Sequence, residues 1–420
     1  MATEEAALGT IITNIGTLVT FEPLVREKRY HSITEKDLGI KQGAWIAFNE
    51  KILASGTGTP PDDYASFKTI DAQGGLVLPG LVDCHTHPIF AGSRANEFAM
   101  RLNGSTYQEI AAKGGGIKAT VAATRAASDQ ELKKLTLQRL KTFLSHGVTT
   151  VEVKSGYGLG VEEELRLLRI LKQCQKDTPQ RLSVTCLALH AMPPGETDVA
   201  HYVERCTNEL LPQVKAENLA ESVDAFVEDG YFSVKDVTPY LRKAKDLGLN
   251  IRIHADEFSD SGAASLAAEF GAVSADHLQF ASPQGIDSLA KADVTAVLLP
   301  GTSLYTDIPY ADGKRLASAQ CKIAIATDYN PGSCRFDNLS FIASLAAVHC
   351  KLTAAQTLGG VCIAAANSLK REGFAGQLAP AANADLLICN YSTYQDWLAS
   401  FGCKKPRTIV VGGQIVTHEN

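Results

Sequence analysis

Hydrophobic and polar residues follow one rhythm at the two ends of the chain and another in the middle. Near the N-terminus the runs 8–21 (LGTIITNIGTLVTF), 44–56 (AWIAFNEKILASG) and 66–71 are short and rich in β-branched or other apolar residues, as strands are. Asn49-Glu50 predicts a hairpin turn inside the second run, between AWIAF and KILASG. The runs 384–390 (ADLLICN) and 407–419 (RTIVVGGQIVTHE) near the C-terminus read the same way. Strands from both ends can pair into one small sheet domain. GTGTPPDD at 56–63 marks a surface turn.

The middle alternates strand with helix. Eight strand-like runs occur: 75–87 (GLVLPGLVDCHTH), 149–155 (TTVEVKS), 182–190 (LSVTCLALH), 223–229 (VDAFVED), 250–257 (NIRIHADE), 272–278 (AVSADHL), 294–301 (VTAVLLPG) and 322–330 (KIAIATDYN). Between the first two, Leu132, Leu135, Leu140, Phe143 and Leu144 recur at helical spacing, with Gly147 where a C-terminal cap belongs. Residues 161–175 (VEEELRLLRILKQCQ) repeat the pattern. Near-continuous apolar strands alternating with helices imply a parallel sheet. Eight such units predict a (β/α)8 TIM barrel over 75–370. A small β-sandwich domain built from residues 1–74 and 371–420 is expected beside it. An open doubly wound sheet is the alternative, but no GxGxxG follows the first strand to support it.

Composition narrows the class. With 45% hydrophobic and 20% charged residues in 420, the chain is neither disordered nor a coiled coil. Its 40 basic and 46 acidic residues are mixed along its length, so no basic stripe invites nucleic acid. No apolar run approaches the ~18 residues of a membrane span. MATEEAALGT lacks a basic n-region, so no signal peptide is expected. Ten cysteines show no CxxC spacing, and several lie in apolar runs, as do Cys186 in SVTCLAL and Cys389 in ADLLICN. They read as reduced thiols packing in a core, which points to the cytoplasm.

The rare polar residues fall at the ends of the predicted strands, where a barrel gathers its chemistry. The first ends in His85-Thr86-His87, the third at His190, the fifth at His254, the sixth at His277 and the eighth at Asp328. Five of the ten histidines are thus placed, and His31, His146, His201, His349 and His418 read as ordinary. In His-x-His, side chains i and i+2 of a strand share a face, about 6.6 Å apart along it. Two such imidazoles can converge on one ion. Adding His254 and Asp328 makes a three-nitrogen, one-oxygen set that suits zinc or iron rather than magnesium or calcium.

Other residues leave two readings open. Asp256 and Glu257 could support a metal site or move protons. Arg94 in FAGSRANEF could clamp a substrate carboxylate or make a surface ion pair. Tyr157 in KSGYGLG is either a turn residue or a ligand-facing hydroxyl. Gly114-Gly115-Gly116 could approach a ligand or only turn, and Asn330-Pro331-Gly332-Ser333 could hold a small polar ligand.

GLVLPGLVDCHTHP resembles the entry strand of the amidohydrolase superfamily, a metal-bearing (β/α)8 barrel beside a β-domain from both termini. FAGSRANEF, GGGI, VKSGYGL, ALHAMPP, HADEFS, DHL and TDYNPGSC, in that order over about 75–335, resemble the imidazolonepropionase family within it. Arg335 departs from that pattern, where many relatives have proline. The resemblance implies His85, His87, His254 and Asp328 as metal ligands. It implies Arg94, Tyr157 and His190 as substrate contacts, the first two near a propionate. Glu257 becomes the acid/base residue, with Asp328 its rival for that role, and His277 lies beside the reacting carbonyl. Asn330, Gly332 and Ser333 would hold the amidine end or the product. Related binuclear enzymes use a carboxylated lysine after strand four; here Val227-Glu228-Asp229-Gly230 holds none, so one zinc or iron per chain is expected. The implied reaction is 4-imidazolone-5-propanoate plus water giving N-formimidoyl-L-glutamate, and a homodimer is implied too. Three alternatives stand beside it: a deaminase of a neutral base, which Arg94 disfavours; an iron(II) oxygenase, which the third imidazole disfavours; and a scaffold without activity, which would be expected to have lost ligands.

Overall fold

The computed structural model describes residues 9–104 and 115–418. Among the described residues sixteen strands form two sheets. The N-terminal strands are β1 (Thr10–Leu18), β2 (Lys41–Phe48), β3 (Ile52–Thr57), β4 (Lys68–Asp71) and β5 (Leu76–Pro79). The barrel strands are β6 (Leu81–Asp83), β7 (Val148–Lys154), β8 (Arg181–Leu189), β9 (Ser222–Val227), β10 (Asn250–Ala255), β11 (Ser274–His277), β12 (Thr295–Leu298) and β13 (Lys322–Ile325). The C-terminal strands are β14 (Leu386–Cys389), β15 (Thr408–Val411) and β16 (Gln414–His418).

β6 to β13 pair in sequence order, every pairing parallel. The ends meet above β6 and β13. Asp328 donates its N–H to His85 O at 3.0 Å and His87 donates to Tyr329 O at 2.8 Å. Asp83 joins the same seam, accepting from the Thr327 N–H and hydroxyl at 3.1 and 2.6 Å. The closed order excludes the open doubly wound sheet.

β1 to β5 and β14 to β16 make the second sheet, running β16-β15-β14-β5-β1-β2-β3 with β4 on β1. The hairpin turn between β2 and β3 falls at Asn49–Lys51, where the Asn49 N–H meets Lys51 O at 3.0 Å. Period-two alternation gives this sheet two apolar faces. Val77, Leu386, Ile388 and Val410 pack with Ile12, Ile46 and Phe48 in a core of the sheet's own. Leu76, Leu78, Leu387, Cys389, Ile409 and Val411 pack into the barrel core instead.

The first predicted strand, 75–87, divides. Leu76–Pro79 belongs to the terminal sheet, paired with β1 and β14, and only Leu81–Asp83 runs in the barrel. Gly80 is the break: a Cβ there would lie 2.2 Å from Thr149 Oγ1, so only glycine allows the chain to cross so close to β7. The predicted helices form at Asp129–Ser145 and Val161–Asp177. Ser128 caps the first, and Gly147 follows it with φ +88°. Nine cysteines are buried and unbridged, while Cys403 is exposed. No helix of the described residues is long and apolar enough to cross a membrane.

Candidate metal centre and active site

The strand ends bring the expected imidazoles together. His85 and His254 have ring centroids 4.5 Å apart, His254 and His277 5.2 Å, and His87 and His254 5.4 Å. His85 Nε2 and His87 Nε2 lie 3.2 Å from each other, and Asp328 Oδ1 lies 3.5 and 3.4 Å from them. All are almost fully buried. Among the described residues two overlapping groups could hold a metal ion: His85, His87 and Asp328, and His85, His254 and His277. His277 thus stands as close to the centre as the four residues singled out from sequence.

The chemistry of the donor set fits a metal. Burial, reinforced by Lys154 and the neighbouring rings, holds His85 well below the ordinary imidazole pKa. Burial does the same to His87, with His254 and Lys154 adding to it. Neutral imidazoles are what an ion requires as ligands. His87 Nδ1 and His277 Nδ1 are buried without a hydrogen-bond partner. Asp328, like His277, has a positive φ, 54° and 85°. Such backbone costs roughly 1–3 kcal/mol per residue and collects at functional sites.

His190 stacks on His87 at 5.4 Å and packs against Tyr157 at 5.3 Å. Its Nδ1 lies 2.9 Å from Gly156 O. A carbonyl only accepts, so Nδ1 carries the proton and Nε2 is the acceptor. Burial lowers the His190 pKa to about 3, which keeps it neutral. Burial raises the Tyr157 hydroxyl despite the nearby Arg94 charge, so it stays a donor. Glu257 Oε2 lies 3.5 Å from His277 Nε2. Burial, with Asp328 and Glu228 adding repulsion, holds the Glu257 carboxyl well above the usual range. Burial also takes His277 down to about 3.

The neighbours of Glu257 divide its possible roles. Asp256 accepts from the Ser261 hydroxyl and from the N–H groups of Ser261, Ala263 and Ala264, so it builds the loop and helix start. Glu228 accepts from the Phe258 N–H at 2.8 Å and from the Ser259 hydroxyl. Asp256 caps the helix and Glu228 ties down the loop, and among the described residues no hydrogen bond holds Glu257 to either.

Arg94 lies within electrostatic reach of Tyr157. Its Nε donates to Glu97 Oε2 at 2.9 Å, and Glu97 Oε1 accepts from the Gly116 N–H at 3.0 Å. Its guanidinium lies against Gly332, where a Cβ would be 1.9 Å from Nη1. The loop 330–333 therefore meets Arg94. Asn330 spends its side chain on the turn: Oδ1 accepts from the Gly332 and Ser333 N–H groups at 2.8 and 2.7 Å, and Nδ2 donates to Asp328 O at 2.7 Å. Arg335 lies over the Phe90 and Tyr329 rings. Gly114 lies outside the described residues.

Sequence reasoning passed over the supports of these groups. Asp276 Oδ2 lies 2.6 Å from His85 Nδ1, and Asp224 Oδ2 lies 3.0 Å from His254 Nδ1. Burial alone would raise Asp224, but His254 and Lys154 hold it well below the usual carboxylate range. Glu164 accepts from the N–H groups of Gly156, Gly158 and Leu159 and shapes the loop that carries Tyr157. The signal was present: these are acids inside otherwise apolar strands and on the buried face of a helix.

The chain belongs to the amidohydrolase family, whose profile matches residues 76–416. Solved structures agree on the fold. A zinc complex of atrazine chlorohydrolase from Arthrobacter aurescens superposes with a TM-score of 0.72, over 97% of this chain and 95% of the other, at 17% identity. A zinc-bound adenosine deaminase from Xanthomonas campestris gives 0.69, over 97% and 93%, also at 17%. Within the family, relatives along almost the whole length are imidazolonepropionases. That of Geobacillus kaustophilus is 42% identical, over 94% of each chain. That of Caldanaerobacter subterraneus subsp. tengcongensis is 41% identical, over 96% of this chain and 95% of the relative.

Proposed function

We propose that this chain hydrolyses the ring C–N bond of 4-imidazolone-5-propanoate, giving N-formimidoyl-L-glutamate in histidine breakdown. The observation that carries the reading is 42% identity to an imidazolonepropionase over 94% of both chains. The geometry supports it: Arg94 acts on Tyr157, Tyr157 packs against His87 and His190, and Glu257 is buried beside His277. One zinc or iron per chain would be held by His85, His87, His254 and Asp328. A metal so bound supplies Lewis acidity to the carbonyl and lowers the pKa of its water.

The chain's own residues do the rest. Arg94 and the Tyr157 hydroxyl bind the propionate. His190 Nε2 accepts from a ring N–H, because its other nitrogen is committed to Gly156 O. The turn 330–333, against which the Arg94 guanidinium lies, walls the propionate side of the substrate. Glu257 takes a proton from the attacking water at its carboxylate and returns it to the departing ring nitrogen. His277 donates to the carbonyl oxygen as negative charge develops there. The water oxygen ends in the new carboxylate, the C–N bond breaks, and the nitrogen leaves as part of the formimidoyl group. The chain is read as a homodimer, so light scattering should report a two-chain mass.

The test is to offer purified protein 4-imidazolone-5-propanoate and, separately, neutral purine and pyrimidine bases. Formimidoyl glutamate from the first and no ammonia from the others is the expected result. Deamination of a base without turnover of the imidazolone would replace this reading with a deaminase.

A further inference from the structure

Beneath the imidazoles lie five charged side chains with no exposed surface: Glu152 and Lys154 on β7, Asp224 on β9, Arg252 on β10 and Asp276 on β11. Barrel interiors are ordinarily filled by Val, Ile and Leu. Buried ion pairs add little net stability over apolar packing of the same volume. Stability therefore does not explain why four strands carry charge at this level.

The contacts form a chain that ends on two imidazoles. Lys154 Nζ lies 2.7 Å from Asp224 Oδ2, 2.8 Å from Glu152 Oε1 and 3.9 Å from Asp276 Oδ2. Arg252 Nε lies 3.0 Å from the same Glu152 oxygen, and its Nη2 lies 3.3 Å from Asp276 Oδ2. Arg252 also donates to Cys84 O at 2.8 Å, fixing the backbone next to His85. Asp224 Oδ2 then lies 3.0 Å from His254 Nδ1, an ion-pair approach without hydrogen-bond alignment, while its Oδ1 accepts from the His254 N–H at 3.2 Å; Asp276 faces His85 Nδ1 at 2.6 Å. A carboxylate on one ring nitrogen fixes the orientation of an imidazole and makes its other nitrogen a better ligand. Burying a carboxylate without a counter-charge is costly. Lys154 supplies that charge to Asp224, Arg252 supplies it to Asp276, and Glu152 ties the two cations together.

We propose that Lys154 is a positioning residue of the metal centre, acting through Asp224 in a buried charge relay that holds the His254 and His85 imidazoles in place. The inference rests on the reading of those two histidines as ligands. It assigns Lys154 no contact with substrate.

Release of zinc to a colorimetric chelator from the zinc-loaded full chain tests it, with the unfolding temperature of the metal-free protein measured alongside. Asp224→Asn keeps shape and removes charge, and should release zinc roughly ten- to a hundredfold faster, the usual cost of losing such a support. Lys154→Met should do the same. The double variant should release no faster than Asp224→Asn alone, since both changes break one contact. Should Lys154→Met fail to fold, the double variant, which removes one charge of each sign, is compared with Asp224→Asn and decides alone. Effects of the two changes that multiply would overturn the relay. So would zinc release within twofold of wild type when only the metal-free unfolding temperature falls, the mark of a merely structural role. His254→Ala separates the two claims. Fast release there with normal release in Asp224→Asn removes the relay and keeps the ligand, whereas normal release in His254→Ala removes both.

Discussion

The guanidinium of Arg94 is held by Glu97 and rests on Gly332, so it has little freedom left to lose when an anion binds. Arg94→Ala should therefore raise the Michaelis constant by roughly ten- to a hundredfold, the worth of a charge-assisted pair at about 1.5–3 kcal/mol, and change turnover much less. Steady-state kinetics with the imidazolone checks this, and an analogue without the carboxylate should bind both proteins alike. Glu257 calls for the opposite pattern. Glu257→Gln should keep its metal and its substrate affinity while turnover falls roughly a hundred- to ten-thousandfold. Metal analysis beside kinetics decides it: full loading with turnover within a few-fold of wild type would pass the role to Asp328. At this scale the clustering of the imidazoles with Asp328 was legible, because histidines at strand ends are rare and have few other reasons to be there. Lys154, Asp224 and Asp276 were not singled out, since a charge inside a strand shows its partner only when other strands are brought beside it.

Elements were legible in kind and blurred at their edges. The run 75–87 read as one strand because both halves are apolar, yet Gly80 passes the chain from one sheet to the other. Hydrophobicity alone does not record which sheet a buried strand joins. In the turn 330–333 the Asn330 amide also shapes the turn, which hydrophobic patterning does not record. That turn is also where one added methyl group should be felt. In Gly332→Ala the new carbon would meet Nη1 at 1.9 Å, and Arg94 must move. The expected result is a folded protein with a raised Michaelis constant and nearly normal turnover, as in Arg94→Ala. An unchanged Michaelis constant would separate this turn from the carboxylate site.

For the whole molecule, the terminal sheet and the barrel share a core. Leu76, Leu78, Leu387 and Ile409 pack in the same cluster as the barrel strands and helices. Arg181 on β8 meets Asp385 at 2.8 Å, and the Gly80 N–H donates to Asp385 O at the same distance. Sheet and barrel should therefore unfold together, as one calorimetric transition with coincident far- and near-ultraviolet signals. Two resolved transitions would show that the shared face is not tightly packed. The eightfold alternation of strand and helix made the barrel readable, and the matching strand patterns at the two ends made the second sheet readable. Its packing against the barrel was not, since period-two alternation with both faces apolar does not say what covers each face.

The oxygen of the attacking water marks the reaction most directly. Metal-loaded protein is given 4-imidazolone-5-propanoate in 18O-enriched water under anaerobic conditions, and the product is read by mass spectrometry. Formimidoyl glutamate carrying one 18O in its new carboxylate, with no product after metal removal and recovery on adding zinc or iron, is the expected result. Product that forms only when oxygen is admitted, or turnover undiminished in fully metal-stripped protein, would contradict hydrolysis at the metal centre proposed on His85, His87, His254 and Asp328.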